Sequence, residues 1–158
     1  MEKFKGLWDK IYDDDIYTMK FPDEPTIKFF GKLSKLISLE GKKGLDIGCG
    51  IGRNCRLMYE FGIEPYGIEI SEMAVKRAQE YQRMKNFKAK IKLYDGKLIP
   101  FKNNYFDFVI SHGVLDHILL KDAKRIINEI FRVLKDGGYA CIVVHSSRDT
   151  NYGKGIEI

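Results

Sequence analysis

A three-layer α/β domain built on a parallel sheet is the fold class that this 158-residue chain predicts. Three observations carry it. Short apolar strands alternate with segments of helical period, in the order strand, helix, strand, helix. The first strand, through Leu45 and Ile47, runs straight into a turn with glycines at positions 48, 50 and 52, and then into a helix. Late in the chain, residues 121–134 carry a strong apolar stripe and feed another apolar strand. The length suits one domain, and 44% hydrophobic with 13% aromatic residues suffices for a real core.

The stretch from Gly44 to Asn54 is the centre of this pattern. Gly48, Gly50 and Gly52 allow a sharp bend and let a ligand lie on bare main chain. The helix predicted over Ile51 to Glu60 aims the free N–H groups of its first turn across the loop. A nucleotide-like ligand with a carboxylate or phosphate tail suits that place. A dinucleotide fingerprint requires Gly-x-Gly-x-x-Gly, but Arg53 stands where its third glycine belongs. The run Asp46-x-Gly48-x-Gly50-x-Gly52 instead resembles the first motif of the class I S-adenosylmethionine (SAM)-dependent methyltransferases. The resemblance implies a Rossmann-like sheet of strand order 3-2-1-4-5, with the site at the carboxyl ends of the strands.

The rest of the chain extends the resemblance. Residues 1–22 hold Trp8, Tyr12, Tyr17 and Phe21 among charges, with a short helix expected over Trp8 to Tyr12. They either cover the domain or form a lid over the site, with Tyr12 and Tyr17 as the lid candidates. Asp23 and Pro25 open a helix that carries Phe29, Phe30, Leu33, Leu36 and Ile37 as a core stripe and ends at Gly41. Glu64 to Ile70 is the second strand, and Ser71 caps a helix running to about Arg83. Glu69 sits at that strand's carboxyl end, where an acid can accept from two ribose hydroxyls. The plain alternative is an exposed strand-end glutamate. In the resembled family the matching acid binds the SAM ribose, and the next residue, Ile70, packs on adenine.

Lys90 to Tyr94 is a short third strand with a basic face. Asp95 could accept from the adenine amine and Gly96 could leave room for the ring, or the pair could simply make a turn. In the resembled family an acid in this loop reads adenine. Tyr105 to Ser111 is a central fourth strand. It opens into Ser111-His112-Gly113-Val114-Leu115-Asp116-His117, where Leu115 and His117 fit the family's Val-Leu-x-His run. The Asn/Asp-Pro-Pro-Tyr signature of nucleic-acid amino-methylating enzymes is absent. Asp136-Gly137-Gly138 forms a tight turn before a fifth strand, Tyr139 to His145. The family has Leu-Lys-Pro-Gly-Gly there, and Asp136 replaces its proline.

The net charge of +5 concentrates in residues 71–102, which hold nine Lys or Arg against three acids. The excess is either a solvated face or a surface for an acidic substrate or nucleic acid. Cys49, Cys55 and Cys141 form no Cys-x-x-Cys pair, which fits free thiols in a reducing cytoplasm. No apolar run approaches the ~18 residues of a membrane span.

Three regions are therefore expected: an N-terminal aromatic cap over 1–22, a SAM-binding α/β domain over 23–146 and a tail over 147–158. The family's C-terminal hairpin is missing, so the chain reads as C-terminally truncated. Its open fifth-strand edge could pair with a second copy or a swapped partner. The resemblance implies SAM as cofactor, S-adenosylhomocysteine as product and a small-molecule methyl acceptor, with no nucleic-acid or membrane partner. The expected cofactor residues are Asp46, Gly48, Cys49, Gly50, Glu69, Ile70, Asp95, Gly96 and Ser111. No metal is expected. His112 leads as a candidate general base, with His117, Asp116 and His145 behind it; the plain alternative is that His112 makes a methionine-tail or helix-end contact and transfers no proton. A non-catalytic SAM-binding module, a NAD-dependent oxidoreductase and an RNA methyltransferase are the alternatives.

Overall fold

The computed structural model describes residues 2–13 and 20–146. Its elements follow the order α1 (Glu2–Asp13), α2 (Glu24–Leu33), β1 (Lys43–Ile47), α3 (Arg53–Glu60), β2 (Glu64–Glu69), α4 (Glu72–Lys85), β3 (Lys90–Leu93), β4 (Phe106–His112), α5 (Leu120–Val133) and β5 (Leu134–Val143). The strands form one sheet of order β3-β2-β1-β4-β5, and every pairing is parallel. The expected fold and strand order are therefore both present. Among the described residues no helix is long and apolar enough to cross a membrane.

The two sheet faces bury different residues, as a parallel sheet with helical crossovers requires. Phe108 and Ile110 of β4 pack with Phe30, Leu33, Cys55 and Met58 under α2 and α3. Leu45, Ile68, Phe106 and Val109 pack with Ile126, Ile130 and Val133 of α5 on the other face. Eight of the nine cationic residues in 71–102 are exposed, the exception being half-buried Arg77. Such exposure is shared by a solvated face and a binding surface.

Several boundaries differ from expectation for local reasons. α1 runs well beyond the short helix expected over Trp8 to Tyr12. α2 stops at Leu33, short of Gly41. There the Ser34 hydroxyl donates to the Gly31 carbonyl at 3.2 Å, competing with the helix, and Leu36 stays 76% exposed, off the expected core stripe. Asp23 stands at the N-cap of α2 but makes no side-chain capping bond. Its carboxylate is drawn to Arg53 and His112 instead. β5 starts directly at Leu134 and ends at Val143, before His145. The glycine turn survives inside it as an irregularity: Leu134 and Tyr139 pair with Phe106 and Phe108, so the residues between bulge out around Gly137 at φ +72°. No strand lies beyond β5 among the described residues. Tyr17 and the tail over 147–158 lie outside them.

Polar clamps hold the long return from β3 to β4. Arg132 donates to the carbonyls of Ile99 (2.8 Å) and Phe101 (2.7 Å) and to Asn103 Oδ1 (3.0 Å). Glu129 accepts from the Ile99 amide at 2.9 Å and pairs with Arg132 at 2.6 Å. Arg132→Met keeps the aliphatic stem but removes these bonds and leaves Glu129 unpaired. It is expected to cost about 2–4 kcal/mol in urea unfolding. A loss below about 0.5 kcal/mol would show that the clamp is not structural.

Candidate active site

Glu69 ends β2 with its carboxylate turned back on the glycine turn. Oε2 accepts from the Gly50 amide at 2.9 Å, and Oε1 accepts from Ile70 and Ser71 at 2.7 and 2.9 Å. Ser71 in turn caps α4, its Oγ accepting from the Ala74 amide at 3.0 Å. Glu69 is only 4% exposed. Burial pushes its carboxyl above the usual range, against the lowering pull of the three backbone donors.

The turn itself requires its glycines. Gly48, Gly50 and Gly52 all have left-handed φ, at +67°, +53° and +86°. Space is the second reason. A Cβ at Gly48 would meet Val114 Cγ2 at 2.5 Å, and one at Gly50 would meet the Tyr12 hydroxyl at 2.5 Å. The Ile68 carbonyl accepts from the Gly48 and Cys49 amides, which seats the turn on β2. Cys49 is buried and free. Its hydrogen bond with Cys55, and then burial, push its thiol up, so it is held protonated.

Above the turn lies a cavity of about 330 Å³, within the range of small-molecule sites. Trp8, Tyr12, Ile70, Tyr94, His112 and His117 are among its walls, with Gly48, Cys49, Gly50 and Glu69 in its floor. α1 closes one side. Asp9 Oδ1 accepts from Ser71 Oγ at 2.6 Å and from the Met73 amide at 3.3 Å, at the positive end of α4. Lys5 pairs with Glu72 at 2.5 Å. Burial, then the nearby Glu69 charge, raise the Tyr12 hydroxyl above its ordinary range. Tyr12 thus stands where a lid was expected.

The expected residues divide into groups. Asp46 and Ser111 are buried behind the wall and do not line the cavity. Asp46 Oδ2 and Ser111 Oγ have no hydrogen-bond partner among the described residues. Burial pushes the Asp46 carboxyl up to about 8, although Arg53 pulls it down. Asp95 lines an adjoining cleft that shares Ile70 and Tyr94 with the main cavity. Its Oδ1 accepts from the Lys97 amide at 2.9 Å, so the Asp-Gly pair also makes a turn. Gly96, buried, offers its carbonyl to Arg125. His112 lines the cavity with Nδ1 2.5 Å from Asp23 Oδ2 and 3.2 Å from Arg53 Nη2. Burial lowers its pKa, Asp23 opposes that and Arg53 adds to it.

Sequence reading missed Tyr94, Arg53 and Val114 as parts of the site. Tyr94 had a signal in its place at the end of β3. Arg53 had a weaker one, as the residue displacing a fingerprint glycine. Asp116, His117 and His145 come together at the cavity's rim, although they lie apart in sequence.

Comparison with known proteins places the chain in a family. A family model described as "Methyltransferase domain" matches residues 45–142, which is more than half of the chain. The chain belongs to the methyltransferase domain family. Phosphoethanolamine N-methyltransferase 2 of Caenorhabditis elegans is 34% identical over 117 residues, covering 73% of this chain and 25% of that protein. Chloroplastic tocopherol O-methyltransferase of Arabidopsis thaliana is 28% identical, covering 94% of this chain and 49% of that one. A crystal structure of a SAM-dependent methyltransferase from Aquifex aeolicus superposes with a TM-score of 0.67 at 22% identity, over 93% of this chain and 76% of that one. This methyltransferase domain therefore spans half or less of the length of those two curated relatives.

Asp46 gives a direct test of the site's electrostatics. Its folded pKa is raised, so the folded state prefers the protonated acid. Stability from this residue is present below its unfolded pKa and is lost as pH rises towards about 8. Asp46→Asn has no such loss. In urea titrations its stability should gain on the wild type by a few kcal/mol between about pH 4 and pH 8. A gap that stays constant or closes with rising pH would contradict the assignment.

Proposed function

We propose that this methyltransferase domain binds SAM over the glycine turn and transfers its methyl group to a small-molecule acceptor. The observation that carries this reading is the buried Glu69 carboxylate, tied to the Gly50 amide at the strand end facing the cavity. A carboxylate held there can exchange backbone partners for two vicinal ribose hydroxyls. In this reading Gly48, Cys49 and Gly50 face the methionine portion, and Ile70 packs on the adenine. Asp95 and Gly96 border the ring from the adjoining cleft. The unpartnered buried oxygens of Asp46 and Ser111 lie behind the wall.

SAM supplies a methyl group on a sulfonium, so the protein needs to align and shield the reactants more than to attack. α1 does the shielding through Trp8 and Tyr12, as the lid of an N-terminal cap over 1–22. Asp23 holds His112 in place, and a neutral His112 is available to take an acceptor proton. The acceptor is a small molecule, by analogy with relatives named for an oxygen and a nitrogen acceptor. Three free thiols, two of them buried, support a reducing, cytoplasmic location. Pairing of two copies through the outer edge of β5, where Tyr139 and Ile142 are exposed, belongs to the same reading.

Isothermal titration with S-adenosylhomocysteine tests the cofactor. The wild type should bind, and Glu69→Ala should weaken binding by about tenfold or more, or about 1.4 kcal/mol. Equal affinity of the two folded proteins, or binding of NAD in place of S-adenosylhomocysteine, would overturn the reading.

A further inference from the structure

We propose that Asp116, His117 and His145 form a binding site for one divalent transition-metal cation, zinc being the first choice, at the rim of the main cavity. Asp116 and His117 lie in the segment between β4 and α5, and His145 lies just past the end of β5. β4 and β5 are parallel neighbours with His112 opposite Val143, so their carboxyl-end loops emerge side by side. One ligand atom from each of the three residues lies within 4.8 Å of the others, and among the described residues no other group of three meets this condition. Bonds of about 2.0–2.2 Å set neighbouring ligand atoms about 3–4 Å apart, so small side-chain rotations close the site.

The donors are already held. Asp116 Oδ2 accepts from the His145 amide at 3.1 Å and is hydrogen-bonded to His145 Nδ1. Burial raises the Asp116 carboxyl, but the bonds from His145 outweigh it and leave it below the usual carboxylate range. The His117 amide donates to the Val114 carbonyl at 3.2 Å, and its ring meets the Trp8 ring edge-on at 5.6 Å. Without a cation, the hydrogen bond from His145 to Asp116 holds this group together. A cation binds only deprotonated donor atoms, so binding should weaken in acid.

The donor set selects the ligand. Two imidazoles and one carboxylate suit zinc, cobalt, nickel or iron(II), and suit magnesium or calcium poorly. Three protein donors leave coordination positions open, as in a catalytic site and unlike a closed structural one. His117 and His145 both line the cavity, so a cation held there would sit at its edge. Resting on the methyl-transfer reading, the acceptor class that this site admits is a small molecule presenting a hydroxyl or an oxygen anion.

The test uses untagged, chelator-treated chain, zinc chloride in isothermal titration and cobalt(II) in visible absorption. The wild type should bind about one equivalent of zinc, more weakly at about pH 5.5 than at about pH 7.5. His145→Ala and His117→Ala should each weaken zinc by about tenfold or more and abolish the cobalt ligand-field bands. S-adenosylhomocysteine titrations of the same samples separate the two readings. Retained nucleoside binding with no zinc binding overturns the metal site alone. Zinc binding without nucleoside binding supports the metal site and overturns the cofactor. Zinc affinity equal in the wild type and both histidine variants is adventitious binding and overturns the proposal.

Discussion

One carboxylate joins the segments that make the site. Glu69 accepts from amides of the glycine turn and of the entry to α4, bringing β1's exit and β2's exit onto a single pair of oxygens. A charge this deeply buried is costly unless several donors meet it. Those donors exist only if the turn takes left-handed φ at Gly48 and Gly50 and Ser71 caps α4. The local geometry of two crossovers is therefore coupled through one side chain.

Further contacts stack on that junction. Asp9 reaches the same end of α4 from α1, so the capping of α4 and the seating of α1 share Ser71. On the opposite wall, Asp23 bridges α2, Arg53 of α3 and His112 of β4. The cavity is thus enclosed by charged and capping contacts at strand and helix ends, while the apolar clusters on the two sheet faces supply the stability. Such division makes the cavity's edges easier to open than the core, because end contacts exchange with water at small cost compared with core packing.

The sheet order and most of the helices were legible because their signals are local. Apolar runs such as Phe108 to Ile110 and the stripe over residues 121–134 leave few alternatives for a chain of this length. The glycine spacing and Glu69 were legible because a backbone turn and a strand-end acid are fixed by short-range geometry. Boundaries set by competition were not. Ser34 ended α2 early, and Asp23 left its cap for Arg53 and His112, 30 and 89 residues further along. The roles of Tyr94 and of the Asp116–His145 pair depend on which loops the sheet places side by side, and that is settled only by tertiary packing.

The central claim is that an adenosyl ligand enters over the glycine turn and is met by Glu69. Titrating the nitrogen-15-labelled chain with S-adenosylhomocysteine and following its amide resonances tests this most directly. The account predicts shifts concentrated at Gly48, Gly50, Ile70 and Ser71, whose amides belong to the turn or contact Glu69, with NAD leaving them in place. Shifts confined to other regions, or the same shifts produced by NAD, would contradict it.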